Sequence, residues 1–377
     1  MCHRFLFTAL SAEVRLALDN YGLILKKAAA GGDLSRSVRE LSALLTDRRA
    51  ERQVNYLNHP KFLAAYLHYF LPWNLYRLGM LLPNLPFDPP DDSLIADIGC
   101  GPLTAVQALW LFRPDLRSRR LTFHCLDFSI KAMRKGLDLF KTMSGDNIAW
   151  KIRLLEGNMS ELAATKSRAD FIFSLNVLNE QKQGRGGLEK QLGRHIDQLA
   201  AELKRDGRLF MLEPGNRLGG RLLSLARKRL IELGFNILSP CTHQRNCPML
   251  PQRTSWCHFR RSINWSPWWL RELSIKSGLS KKELSLSLLY ARRDQNDQEG
   301  ISTQAEFLPA RIISNPFTMR DRAGLYCYGC APNGLVCFAL EQAAKDLLQP
   351  GDFVFCRKSP VQDRDQKSGA YFVKAVF

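Results

Sequence analysis

From Leu94 onward the chain alternates apolar runs of strand length with helical stretches, and this alternation limits its fold more than any other feature. Leu94-Ile-Ala-Asp-Ile reads as a buried strand. Leu121-Thr-Phe-His-Cys-Leu, Asp170-Phe-Ile-Phe-Ser-Leu and Arg208-Leu-Phe-Met-Leu-Glu read as further strands. Helices are expected from Thr104, from Asp127 to Thr142 and over His195 to Leu203. Strand–helix repetition at this length builds right-handed βαβ units on a parallel sheet. The expected fold class is α/β, with a Rossmann-like sheet.

The flanks differ from this centre. Residues 1–90 read as an N-terminal helical region, and 91–235 as the nucleotide-binding domain. Residues 236–280 form a cysteine-rich segment, and 281–377 a β-rich C-terminal region. Leu41, Leu44 and Leu45 share one face of a helix between Arg36 and Arg52. Phe62 to Leu82 is apolar and aromatic, as helices packed on the next domain would be, and four prolines between Pro83 and Pro90 end it. Beyond residue 280, Leu284–Tyr290, Ala310–Ile313, Gly324–Tyr328, Leu335–Phe338 and Asp352–Cys356 read as short strands. Asn333-Gly334 is a hairpin turn. Some of these strands extend the main sheet, or the last ones close into a small barrel.

The turn Asp97-Ile-Gly99-Cys-Gly101-Pro-Leu103 joins the first strand to its helix. Glycines there allow a ligand to approach the backbone, and the helix start offers free N–H groups. Asp97 would repel a pyrophosphate but orient a cationic ligand, which favours S-adenosylmethionine (SAM) over a dinucleotide. Asp127 ends the second strand, where a carboxylate accepts from ribose hydroxyls. Asn158 follows the third strand and is placed to face an adenine. Asn176 and Glu180 follow the fourth and are candidates to line the pocket. Leu103 stands where a third glycine is expected, and its side chain would crowd the ligand unless the turn opens. No catalytic motif for methyl transfer is present.

Cys241, Cys247 and Cys257 fall within seventeen residues of a chain with ten cysteines. No secretory signal is evident, since Met1–Leu10 is short and soon followed by Glu13 and Arg15. Reduced thiols grouped in this way read as metal ligands. The wide spacing suits an iron–sulfur cluster, with zinc through His243 or His258 as the alternative. Cys330, beside the Ala331–Gly334 turn, is the expected fourth ligand, whereas Cys327 and Cys337 lie within strands and would pack as small hydrophobes.

Lys and Arg outnumber Asp and Glu by 54 to 36, a net charge of +18. Such an excess calls for a polyanionic partner, and nucleic acid is favoured over a membrane surface. No apolar run reaches the roughly 18–20 residues of a membrane span. Arg217, Arg221, Arg227, Lys228 and Arg229, with Arg260 and Arg261, are the candidate phosphate contacts.

Leu178-Asn-Glu180, Glu213-Pro-Gly-Asn, Ser239-Pro-Cys-Thr-His-Gln-Arg-Asn-Cys-Pro and Trp256-Cys-His-Phe together resemble the methyltransferase-like assembly factors of the small ribosomal subunit, found in bacteria and mitochondria. The resemblance spans roughly residues 10–345. It implies a class I SAM-methyltransferase fold and a role in small-subunit maturation and translation. It also implies a 4Fe-4S cluster on cysteines at positions like Cys241, Cys247, Cys257 and one near 330. The expected protein is a monomeric assembly factor that binds small-subunit rRNA, in the cytoplasm or alternatively the mitochondrial matrix. The alternative activity is an active SAM-dependent rRNA methyltransferase.

Overall fold

Five strands supply the parallel part of the main sheet: β1 (Ser93–Ile98), β2 (Leu121–Asp127), β3 (Trp150–Glu156), β4 (Ala169–Leu175) and β5 (Leu203–Pro214). Their spatial order is β3-β2-β1-β4-β5. The computed structural model describes residues 6–27, 33–180, 187–252, 254–293, 307–340, 348–357 and 363–376. Residues 1–5 of the N-terminal stretch, and 28–32 of the expected helical region, lie outside these.

β1, β2 and β4 are largely apolar because both of their faces are covered, as in doubly wound sheets. Ten helices are described: α1 (Ala12–Lys27), α2 (Leu34–Leu45), α3 (Pro60–Ala65), α4 (Leu71–Leu81), α5 (Thr104–Phe112), α6 (Ile130–Ser144), α7 (Met159–Ala163), α8 (Leu188–Ala201), α9 (Arg217–Glu232) and α10 (Trp268–Lys276). Ile95, Phe171 and Phe173 point to one side, into a core shared with α1, α4, α5 and α6. Ala96, Ile98 and Ile172 point to the other, against Leu192, Ile196 and Ala226 of α8 and α9. Between α3 and α4 the helix widens into a π turn, Tyr66–Phe70. Such turns often accompany functional sites, and Tyr66 lines the main cavity.

Past β5 the sheet stops being parallel. β6 (Phe235–Ser239), β7 (Phe259–Ser262) and β8 (Glu283–Arg293) complete it, with β8 antiparallel to β5. The full order is β3-β2-β1-β4-β5-β8-β6, a parallel sheet continued by an antiparallel strand between its last two members. β6 pairs with residues near one end of β8 and β7 with the other end. The cysteine-bearing loop therefore leaves the sheet from β6 and re-enters it at β7.

The remaining strands form a second sheet: β9 (Phe307–Ile312), β10 (Phe317–Thr318), β11 (Leu325–Ala331), β12 (Gly334–Leu340), β13 (Phe353–Arg357) and β14 (Tyr371–Val376). β9 pairs with both β13 and β11, so the order β9–β11–β12–β14–β13 returns to its start as a closed ring. The β11–β12 hairpin turns through Pro332-Asn333, one residue earlier than the expected Asn333-Gly334, with Gly334 at φ 119° opening β12 opposite Ala331. Arg311, 2% exposed, ties this barrel to the cysteine loop by donating Nε to Pro240 O at 2.9 Å.

Candidate functional site

A cavity of about 640 Å³ opens at the C-terminal ends of the parallel strands. It is lined by Gly99 and Gly101 after β1, Asp127 after β2, Asn158 after β3, and Asn176 with Glu180 after β4. Ligands of open α/β sheets bind at this edge, where the strand order reverses. Five of the six cofactor candidates thus face one space. Asp97 is fully buried behind the turn, outside that lining, and its Oδ2 accepts from Ala105 N at 3.3 Å.

Local geometry explains the turn. Gly99 and Gly101 have φ of 63° and 52°, which favours glycine, and a Cβ on Gly99 would stand 2.5 Å from Val177 Cγ2. Leu103 also has positive φ, 58°, yet its side chain is fully buried in the core. The turn directs that side chain away from the cavity, and the expected crowding does not arise. Asp127 accepts from Gly101 N and Ser129 N, both at 2.8 Å, so each carboxylate oxygen keeps capacity for a hydroxyl. Asn158 Oδ1 caps α7 through Ser160 N at 2.8 Å.

The N-terminal region covers the other side of the cavity, which the sequence did not reveal. Arg52, Tyr56 and Tyr66 line it. Arg52 is 7% exposed and donates Nη2 to Glu180 O at 2.6 Å. Its Nη1 lies 3.7 Å from Glu180 Oε2 and makes no hydrogen bond, a buried donor without an acceptor. Tyr56 donates its hydroxyl to Glu180 Oε1 at 3.3 Å. Ser129 Oγ donates to Asn58 Oδ1 at 2.6 Å, pinning this segment to the end of β2.

Three buried carboxyls support the site. Burial pushes Asp97 up to about 8, with Asp127 adding repulsion, and pushes Glu180 and Glu213 up to about 7. Glu213 accepts from Leu178 N at 2.8 Å, Asn179 N at 3.2 Å and Asn179 Nδ2 at 2.6 Å, so the Glu-Pro-Gly motif anchors the Leu-Asn-Glu segment. A carboxyl raised on folding stabilises fully below its unfolded value near 4 and loses that contribution as pH rises through 7–8. Asp97→Asn removes one such loss. Its melting temperature relative to wild type is expected to climb between pH 6 and 9, by the equivalent of a few kcal/mol. A difference that stays flat with pH would show that Asp97 is already ionised in the fold.

The four candidate cysteines meet around a second, small cavity. Cys241, Cys247, Cys257 and Cys330 line it, together with His243, Arg227 and Arg311. Cys330 Sγ stands 3.5 Å from His243 Nε2. Among the described residues, no three His, Cys, Asp or Glu side chains are grouped as ligands of a single metal ion. Cys327 and Cys337 are fully buried in the barrel strands. His258 stacks on Trp256 and does not line the cavity. Burial pushes the Cys241, Cys257 and Cys330 thiols up; neighbouring cysteines add to this at Cys257 and Cys330, whereas the Arg227 guanidinium opposes it at Cys241.

Arg227, expected on the phosphate-facing side of α9, is instead 3% exposed. It donates Nε to Cys241 Sγ at 3.2 Å and Nη2 to His243 O at 2.8 Å. Helical periodicity separates it from Arg217, Arg221 and Lys228, which stay exposed. Lys228 pairs with Glu189, and Arg229 with Asp197 and Glu232.

Residues 97–333 match the family described as mitochondrial small ribosomal subunit Rsm22. No curated protein matches the chain. Among solved structures, magnesium protoporphyrin IX methyltransferase from Synechocystis PCC 6803 with bound SAM is 17% identical, at TM-score 0.35, over 71% of this chain and 100% of that one. Fibrillarin from Aeropyrum pernix is 14% identical, at TM-score 0.33, over 58% of this chain and 76% of that one. A methyltransferase from Pyrococcus furiosus is 12% identical, at TM-score 0.33, over 55% of this chain and 77% of that one. With more than half of its length matched, including the glycine turn and all four cysteines, the chain belongs to the mitochondrial small ribosomal subunit Rsm22 family.

Proposed function

We propose that this protein is an assembly factor of the small ribosomal subunit that binds immature small-subunit rRNA as a monomer in the mitochondrial matrix. One observation carries the reading: the family match takes in the cofactor turn, the Glu213-Pro-Gly turn and the four cysteines together. The family's description favours the matrix over the cytoplasm. Among the described residues no helix is long and apolar enough to cross a membrane. The charge of +18 suits phosphate contacts that position a protein without reading sequence. With roughly 6–10 phosphates engaged, affinity for small-subunit rRNA should fall roughly 10³–10⁵-fold between 50 and 200 mM salt. Filter binding at several salt concentrations measures this, and a flat profile would remove the rRNA reading.

SAM fits the larger cavity. Asp127 would hold ribose hydroxyls, Asn158 would face the base, and a carboxylate would satisfy Arg52 Nη1. When bound, SAM supplies a methyl group on a sulfonium. The chain's own residues hold and enclose it, and the hydroxyl of Tyr56 keeps Glu180 oriented beside it. Titration with SAM against methylthioadenosine, which lacks the carboxylate, tests the fit. Absence of binding at millimolar SAM would exclude the alternative reading, an active rRNA methyltransferase.

The cysteine cavity supports a structural 4Fe-4S cluster. Four thiols converge from two sheets, and a buried guanidinium stands beside them to offset negative charge. A single zinc ion at about 2.3 Å from each sulfur needs ligands about 3.8 Å apart. The wide spacing of the cysteines along the chain suits a cluster, and zinc through three cysteines and His243 is the second choice.

A further inference from the structure

The ring β9–β11–β12–β14–β13 has its third and fifth strands, β12 and β14, parallel, and its other neighbours antiparallel. That is the strand order of the oligonucleotide- and oligosaccharide-binding barrel. β9 serves both neighbours, pairing its whole length up to Arg311 with β13 and its last two residues with β11. In such barrels the polymer crosses the outer face of the second and third strands, between the first and last long loops. Fold alone does not assign a ligand, so the face must supply the chemistry.

The interior of the barrel is filled by Leu308, Ile312, Cys327, Val336, Phe338 and Val354. The outer side of β11 is aromatic instead. Tyr328 packs on Phe317 of the β9–β11 connection, ring centroids 4.7 Å apart, and Tyr326 meets Phe372 edge-on at 6.0 Å. One exposed arginine lies flat on this face: Arg322 stands 4.1 Å above Phe372. Tyr371, with Arg364 4.0 Å above its ring, pairs with Val336 and belongs to the opposite side of β14. The carboxylates of the outer face are already engaged, Asp363 by Arg322 and Asp365 by the Tyr328 hydroxyl. Half-buried rings and guanidinium planes suit the open faces of unstacked bases, which a duplex hides. The chain's positive charge favours a polyanion over a neutral sugar polymer.

We infer that the outer face of β11–β12, with Phe372 of the adjoining β14, binds a single-stranded RNA segment, with bases stacked on Phe317, Tyr328 and Phe372 and a phosphate met by Arg322. This rests on the rRNA reading above and adds a separate site to it. The four-cysteine cavity joins the barrel to the main sheet through Cys330, farther along β11.

The test uses the full-length protein, labelled decauridylate and a hairpin duplex of the same length. Wild type is expected to prefer the single strand roughly tenfold or more. Phe317→Ala should weaken decauridylate binding roughly tenfold and leave its salt dependence unchanged. Arg322→Ala should weaken it and lower the salt slope by about 0.7, the share of one phosphate on a single strand. Arg322 is exposed, and an unchanged melting temperature confirms that these variants fold. Ultraviolet cross-links should map to residues 313–331 and 363–373. Wild-type affinity in all variants, or cross-links elsewhere, would overturn the inference while the rRNA reading stands. A wild-type protein that binds no RNA would remove both.

Discussion

Serine at Cys241 or Cys257 is expected to abolish visible-range absorbance and most of the soluble yield. The four thiols come from three places: the loop after β6, the residues before β7, and strand β11 of the barrel. Between the two sheets, that cavity is joined by few polar contacts, among them Arg311 to Pro240 and Thr242 to Pro309 and Cys330. Binding energy at a structural metal site is folding energy, about 10–16 kcal/mol in small zinc domains. Losing a large part of that exceeds the entire stability of a typical domain. Anaerobic purification with iron and sulfide analysis measures the effect. A colourless wild type carrying one zinc would replace the cluster with the ion. Variants that keep full absorbance and yield would show that these sulfurs hold nothing.

The second large effect is expected at Arg227. Its guanidinium is buried with Cys241 Sγ and a backbone oxygen as its partners, and the thiols of Cys241, Cys247 and Cys330 hold its charge in place. A buried cation is tolerated only where anionic groups offset the loss of hydration. Arg227→Met keeps much of the volume and removes the charge, leaving the sulfur ligands without compensation. The cost should be about 3–5 kcal/mol, as for breaking a buried ion pair. Arg227→Lys should recover part of it, since lysine carries the charge without the fork. Urea unfolding of the anaerobically purified protein gives the comparison. If Met at this position is as stable as arginine, the cysteine cavity carries no net negative charge.

Much of the site was legible in the sequence where a local pattern reports a local structure. Asp127, Asn158 and Asn176 could be placed at strand ends because apolar runs and the Gly99–Gly101 turn mark those ends directly. Cys241, Cys247 and Cys257 could be grouped because they are close along the chain. Cys330 could be chosen over Cys327 and Cys337 because it stands where its strand meets a turn, whereas the other two lie within strands. Leu103 misled, since backbone handedness rather than residue size decides where its side chain goes. Arg227 looked like its basic neighbours on α9 because composition cannot tell the face toward the cysteine loop from the face toward water. Arg52 and Tyr56 gave no signal, as nothing local links them to Glu180, well over a hundred residues away.

The positions of the central strands, the glycine turn, the closeness of three cysteines along the chain and net charge were therefore read from the sequence alone, because each depends on residues near one another in the chain or on a sum over it. Tertiary structure decided which side chains share a space. It folded the N-terminal segment over the cofactor cavity, turned Arg227 inward, inserted β8 into the main sheet and closed the last strands into a ring. Those outcomes depend on how separate apolar faces bury one another, which no short stretch of sequence encodes.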